Sequence, residues 1–168
     1  MMAVGEHLPE GKLRVKPDEG PIVEVTTAQL FDGQRVVLVG VPGAFTSTCH
    51  NAHVPQFVEN AAALKARGAD RIVVLAVNDA YVMRAWRQAL GAVGKLDFMA
   101  DGDAEYAHAL GLATPMPGMG IRLKRFSALV EDGVVKALNF ESQTAKGISS
   151  TGAAMMLAQL RAEAPASL

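Results

Sequence analysis

The chain has 168 residues, half of them hydrophobic and a fifth charged, with sixteen basic residues against seventeen acidic ones and a net charge of −1. That length suits one domain over residues 1–168 whose core needs neither disulfide nor metal, and the charge balance excludes nucleic acid or an anionic membrane as the main partner. Apolar stretches such as 72–77 fall short of the ~20 residues of a membrane span, no secretory leader is visible, and the one cysteine is best kept free by a reducing compartment, so the cytoplasm is expected.

Residues 13–15 and 22–25 bracket a segment rich in Pro, Gly and acid, which predicts an N-terminal hairpin. Thr26-Thr27 can cap a short helical turn through Leu30, and Asp32-Gly33 turns the chain. Arg35–Val41 is almost continuously apolar, as expected for a central strand covered on both faces, and Pro42-Gly43 ends it. Residues 48–66 recur at a helical period through Val54, Phe57, Val58, Ala61 and Ala62. Pro55 predicts a kink or an irregular first part, and Gly68 a left-handed stop. A second buried strand over 71–77 precedes Asn78-Asp79, a cap for a helix to about Leu90.

A short strand is expected at 96–99, then a helix capped by Asp103 and running to Leu110. Residues 111–120, rich in Gly and Pro among methionines, predict a loop. Strands at 123–130 and 134–139 flank Glu131-Asp132-Gly133, where glycine supplies the positive φ of a hairpin turn. A helix from Thr151 to about Glu163 follows. Strands alternating with helices and closing on a hairpin and a helix predict an α/β fold. The pattern is that of a thioredoxin-like domain, with a mixed central sheet flanked by helices and an N-terminal β-hairpin extension.

Cys49 is the residue on which chemistry converges. It follows the central strand after a short turn and falls at the start of the long helix, where unpaired N–H groups and the helix dipole favour an anion. Thiolate is the reactive form of cysteine, and helix starts are among the few places that favour it. A lone cysteine is by itself more often a small buried hydrophobe, but here the neighbours are Thr46, Ser47, Thr48, His50 and Asn51, which are polar. Thr46, three residues earlier, is placed either to orient sulfur and substrate through its hydroxyl or simply to cap the helix. Pro42 either shields the sulfur from water or only ends the strand.

The run Val41-Pro42-Gly43-Ala44-Phe45-Thr46-Ser47-Thr48-Cys49 resembles the peroxiredoxin active-site segment, Pro-x-x-x-Thr-x-x-Cys. With His53 and Pro55 it is similar to the branch holding the atypical two-cysteine and plant type II enzymes. Val77-Asn78-Asp79-Ala80, Trp86, Arg122-Leu123-Lys124-Arg125-Phe126-Ser127 and Asp132-Gly133-Val134-Val135-Lys136 extend the likeness from about residue 5 to residue 160.

The resemblance implies a thiol peroxidase with no cofactor and no metal, whose catalytic set is Pro42, Thr46, Cys49 and Arg125. Cys49 would attack the terminal oxygen of hydrogen peroxide or an organic hydroperoxide and become a sulfenic acid. Arg125, expected on the strand after the Gly/Pro loop, would stabilise the thiolate; taken alone it reads as a surface or ion-pair arginine. Arg122 is a weaker candidate for the same work. The resemblance also implies a homodimer formed beside the site, through the Asn78-Asp79 region and the 111–120 loop.

Two positions depart from the family pattern. Ser47 stands where a proline is frequent. Gly147-Ile148-Ser149-Ser150 occupies the stretch where animal members of the branch carry a resolving cysteine. A one-cysteine cycle is therefore expected, with an external thiol, glutathione with glutaredoxin or else thioredoxin, recycling the enzyme. His50 and His53 lack the further ligands that zinc needs, so hydrogen bonding or packing is the expected role of His53. Met116 and Met119 fit ordinary packing or an apolar substrate mouth. A thiol–disulfide oxidoreductase on the same fold is weakened by Ala52, which stands where a Cys-x-x-Cys pair needs its second sulfur; a binding or chaperone role has no independent support in the sequence.

Overall fold

The computed structural model describes residues 1–142 and 147–162. β1 (Lys12–Val15) and β2 (Val23–Thr26) form the expected antiparallel hairpin, with Leu13 opposite Val25. Thr26 caps α1 (Thr27–Phe31) through a reciprocal pair: its hydroxyl accepts the Gln29 N–H at 3.2 Å, and the Gln29 carboxamide accepts the Thr26 N–H at 2.8 Å. β3 (Arg35–Val41) is buried along its whole length, because it lies in mid-sheet with a helical layer on each side.

The predicted long helix is broken into parts. A π-helical turn, Cys49–His53, opens it, followed by α2 (Val54–Glu59) and α3 (Ala61–Ala66). Pro55 is the physical reason for the irregular start: its ring crowds the carbonyl four residues back and it has no N–H to give. The Val54 N–H instead reaches five residues back to the Cys49 carbonyl, which is the π pattern. Gly68 takes φ +108° directly after the helix, as the sequence predicts.

β4 (Arg71–Ala76) leads to Asp79, whose carboxylate accepts the Val82 N–H at 2.9 Å and caps α4 (Ala80–Ala89). β5 (Asp97–Ala100) and α5 (Glu105–Ala109) follow. The cap expected from Asp103 is supplied by Asp101, which accepts the Tyr106 and Ala107 N–H groups at 3.0 and 2.8 Å. Ala104, in the left-handed region at φ 60°, folds the chain so that these N–H groups face Asp101.

The 111–120 segment also departs from expectation. It contributes most of a two-stranded antiparallel ribbon, β6 (Ala113–Met116) and β7 (Gly120–Leu123). Pro115 is tolerated because each strand of such a ribbon has a free edge. The single strand expected at 123–130 is divided: Leu123 ends β7, and β8 (Phe126–Glu131) begins only after Lys124-Arg125. β9 (Val134–Asn139) and α6 (Ala153–Ala162) complete the described chain; the expected extension of α6 to Glu163 lies outside the described residues.

The main sheet runs β2-β1-β5-β4-β3-β8-β9, with β3, β4 and β5 parallel and the flanking pairs antiparallel. Period-two alternation divides the core between its faces. Val37, Val39, Val41, Ile72 and Val74 meet Phe57, Leu64, Trp86 and Leu160 on one side. Val36, Leu38, Val73 and Leu75 meet Leu30, Phe31, Tyr106 and Leu110 on the other. Gly40 sits opposite Phe126 in register, and a Cβ there would collide with that ring. Cys49 belongs to the first of these clusters, just beyond the C-terminal end of β3.

Candidate active site

The chain leaves β3 at Pro42 and doubles back within a few residues to enter the helix. Phe45 makes this possible by adopting φ 62°, a conformation costly for a residue with a side chain. Three contacts hold the turn. The Ala44 N–H donates to the Asn78 carboxamide at 2.9 Å, the Thr46 hydroxyl donates to the Gly43 carbonyl at 2.7 Å, and the Thr46 carbonyl accepts the His50 N–H at 2.8 Å. Gly43 is tightly enclosed, since a Cβ would lie 3.0 Å from an Arg122 nitrogen and 3.1 Å from the Thr46 methyl, and both would have to give way. Arg122 in turn donates to the carbonyls of Met119 at 3.0 Å and Val77 at 3.1 Å. It therefore joins the turn, the end of β4 and the β6–β7 ribbon.

Cys49 is 0% exposed. Its sulfur accepts a hydrogen bond from Arg125 Nη2 at 3.1 Å. Arg125 lies on the two-residue connector between β7 and β8 rather than on a strand, because the Lys124 N–H is taken by the Leu112 carbonyl at 2.8 Å and the chain leaves one ladder before joining the next. The other arm of the guanidinium, Nη1, contacts His53 Nδ1 at 2.6 Å. A guanidinium has only donors, so Nδ1 must be the acceptor. The ring proton is then on Nε2, which donates to the Thr151 carbonyl at 2.9 Å. This assigns His53 as a neutral imidazole with a fixed tautomer.

Burial pushes the His53 pKa down and the nearby Arg125 charge lowers it further, against the raising effect of the Thr151 carbonyl; the result is about 4. The unfolded chain takes up this proton near 6.5, while the folded protein refuses it until about 4. Stability should thus be intact above 6.5 and fall as pH drops through that window, by about 3 kcal/mol at most. Urea midpoints measured across pH 4–6.5 for wild type and His53→Phe should differ in slope, the variant being flatter. Parallel profiles would contradict the assignment.

Of the four residues singled out by sequence, Cys49 and Arg125 are in direct contact, Thr46 is in the turn that leads into the Cys49 helix, and Pro42 starts that turn, half-buried. The Thr46 hydrogen is committed to Gly43, so its oxygen has lone pairs to offer but no second proton. Sequence reasoning missed that His50, next to Cys49 in the chain, gathers two aromatic partners. Trp86 donates from Nε1 to His50 Nδ1 at 3.0 Å, and Phe45 stacks on His50 at 5.6 Å. It also missed Glu141, whose carboxylate is held well down at about 2: burial pushes it up, but hydrogen bonds from Ser149, Thr151 and Ser150 outweigh that. The acid and its donors are eight to ten residues apart in the chain, a spacing that no local motif marks.

A profile of the Redoxin family matches residues 3–155, and Peroxiredoxin-2E-2, chloroplastic, of Oryza sativa subsp. japonica is 44% identical over 89% of this chain and 69% of its own length. The chain belongs to the redoxin family and is a peroxiredoxin. Peroxiredoxin-2B of Arabidopsis thaliana is 40% identical over 84% of this chain and 88% of its own. Among solved structures, reduced Prx3 of Vibrio vulnificus in complex with hydrogen peroxide superposes with a TM-score of 0.88 at 41% identity, covering 95% of this chain and 99% of that one. The thioredoxin-like fold and mixed sheet expected for a peroxiredoxin are those observed, and the chain is a thiol-dependent peroxidase. No helix among the described residues is long and apolar enough to cross a membrane.

Proposed function

We propose that this peroxiredoxin runs a one-cysteine cycle on hydrogen peroxide and organic hydroperoxides, with Cys49 as nucleophile and Pro42, Thr46 and Arg125 as its catalytic partners. The observation that carries this is the 3.1 Å hydrogen bond from Arg125 to a sulfur sealed from solvent. A guanidinium donates to an anionic sulfur through a charge-assisted hydrogen bond, which is stronger than a neutral one. The thiolate attacks the terminal peroxide oxygen; an S–O bond forms as the O–O bond breaks. The departing oxygen leaves as hydroxide or alkoxide beside the guanidinium and takes up a proton, so the products are a sulfenic acid and water or alcohol. Thr46 Oγ accepts the O–H of the incoming peroxide, because its own hydrogen is already given to Gly43. Pro42, which has no N–H to offer water, screens the mouth.

This chain holds one cysteine, so the sulfenic acid has no internal sulfur to meet. Glutathione condenses with it, forming a mixed disulfide and releasing water. A second thiol, supplied by glutaredoxin or glutathione, then displaces Cys49 as thiol. Complete burial of the sulfur favours a small first reductant over a docked protein. The expected result is a glutathione adduct on Cys49 in the mass spectrum after one equivalent of peroxide, and faster turnover with glutaredoxin than with thioredoxin. Fast turnover with thioredoxin and no adduct would reverse the choice of reductant.

The single domain over residues 1–168, the reducing cytoplasm that keeps a free thiol, and a homodimer belong to the same reading. Support for the dimer comes from Phe45, Tyr81 and Ile121, which are 49%, 63% and 41% exposed on segments that Asn78 and Arg122 tie together beside the site. Sedimentation at micromolar concentration under reducing conditions should give a dimer; a monomer alone would exclude it.

A further inference from the structure

The Arg125–His53 pair continues outward, and its far end is a carboxylate. Glu141 Oε1 accepts the Ser149 N–H at 2.8 Å, the Ser149 hydroxyl at 2.9 Å and the Ser150 N–H at 3.1 Å, and Oε2 accepts the Thr151 N–H at 2.7 Å. Three successive backbone N–H groups thus converge on one side chain, an arrangement that fixes the local backbone around an anion. Thr151 is held from two directions. Its N–H faces Glu141, and its carbonyl accepts His53 Nε2 at 2.9 Å.

The segment is pinned from the other side as well. The Ala153 N–H donates to the Gln56 carboxamide at 3.2 Å, and Gly152 lies so close to that carboxamide that a Cβ there would displace it. Gln56 and His53 are both on the helix that opens with Cys49. Residues 149–153 are therefore held between Glu141 and the helix that bears the sulfur, with Thr151 wholly buried at the centre.

We propose that Glu141 is a positioning residue for the peroxidase reaction, acting through the Thr151 peptide and His53 on the orientation of Arg125. The inference rests on the peroxidase reading above. The physical reason is geometric. His53 can present Nδ1 to Arg125 only while Nε2 has a fixed acceptor, and that acceptor is a loop carbonyl whose place depends on the carboxylate nest. Without Glu141, residues 149–151 lose four hydrogen bonds, the Thr151 carbonyl is released, and the imidazole is free to rotate or change tautomer. Arg125 then loses the second of its two anchoring points and divides its donors between sulfur and water. Glu141 touches neither sulfur nor peroxide.

The test is a double-mutant cycle on the single-turnover rate of Cys49 oxidation by hydrogen peroxide, followed by quenched-flow alkylation and mass spectrometry, with Glu141→Ala and His53→Phe singly and together. Glu141→Ala should slow the reaction about tenfold, the scale on which outer partners act on a site. Glu141→Gln, which keeps one acceptor oxygen, should lie between this variant and wild type. In the His53→Phe background the loss of Glu141 should change the rate by less than about twofold, because the path is already cut. The imidazole nitrogen resonances of Glu141→Ala should move from a single tautomer toward a mixture.

A wild-type rate in Glu141→Ala would overturn the proposal, as would an equal slowing in both backgrounds, which would mean that the carboxylate acts on the fold alone. Should Glu141→Ala not fold, Glu141→Gln carries the same cycle with the same criteria. A wild-type protein that fails to consume peroxide would sink the peroxidase reading itself, a result separable from any of these.

Discussion

Cys49→Ser should lower peroxide turnover to background, a loss on the order of 10⁴-fold or more, the scale on which a missing nucleophile counts. The replacement is nearly isosteric and leaves Arg125 Nη2 an acceptor near the 3.1 Å point where sulfur sits. What disappears is the polarisable anion: a serine hydroxyl does not ionise near neutral pH, and no histidine reaches the sulfur to act as its base, since His53 Nδ1 is occupied by Arg125 and its other nitrogen by Thr151. A hydroxyl in place of a thiol in a fully buried position costs about 1–3 kcal/mol of stability, so circular dichroism should show a folded protein. Stopped-flow peroxide consumption gives the answer, and substantial turnover by the folded variant would refute the nucleophile assignment.

Arg125→Gln should cost about 10²–10³-fold in the second-order rate with hydrogen peroxide, as removal of one charged donor from a developing anion typically does. Two contacts are lost together, one to sulfur and one to His53 Nδ1, so the imidazole is also left without its donor. Arg125→Lys separates charge from shape. An ammonium keeps the positive charge but cannot span both partners as a planar fork does, and about a tenfold loss is expected. A rate for Arg125→Gln within twofold of wild type would remove Arg125 from the mechanism.

Much of the path to this site could be read from sequence because the relevant signals are local. Arg35–Val41 reads as a central strand from its apolar run alone, and Asp79 as a cap from its place before an amphipathic helix. Thr26-Thr27 reads as the cap of a short turn, though not as the reciprocal pair that Thr26 makes with Gln29. Pro55 announces the irregular helix start, though not its π form. The signal fails where two elements look like one. Residues 123–130 read as one strand, yet Lys124-Arg125 sets two polar residues side by side and breaks the alternation there; the Lys124 N–H still goes to Leu112 beside β6, and the main-sheet strand begins at Phe126.

The sequence points to Asp103 as the cap of α5, but with Ala104 in the left-handed region it is Asp101 that meets the Tyr106 and Ala107 N–H groups. The family resemblance supplied Arg125, whose nature as a partner of sulfur no spacing reveals at a separation of 76 positions. Nothing comparable points to Glu141, whose donors come from a polar run that reads as an ordinary loop.

The π-helical turn bears on how a change at sulfur spreads through the molecule. Its closing hydrogen bond is made to the carbonyl of Cys49 itself, by Val54, and the next residue, Pro55, has no N–H with which to continue the ladder. Displacement of the Cys49 backbone is therefore felt at once in the turn that carries it. It meets a dead joint at Pro55. Beyond that joint Phe57, Ala61 and Leu64 are embedded in the core and hold the helix shaft still. A displacement at the sulfur would therefore pass first through this one turn, and by way of His53 to Arg125 and the Thr151 carbonyl, before it met the buried shaft of the helix.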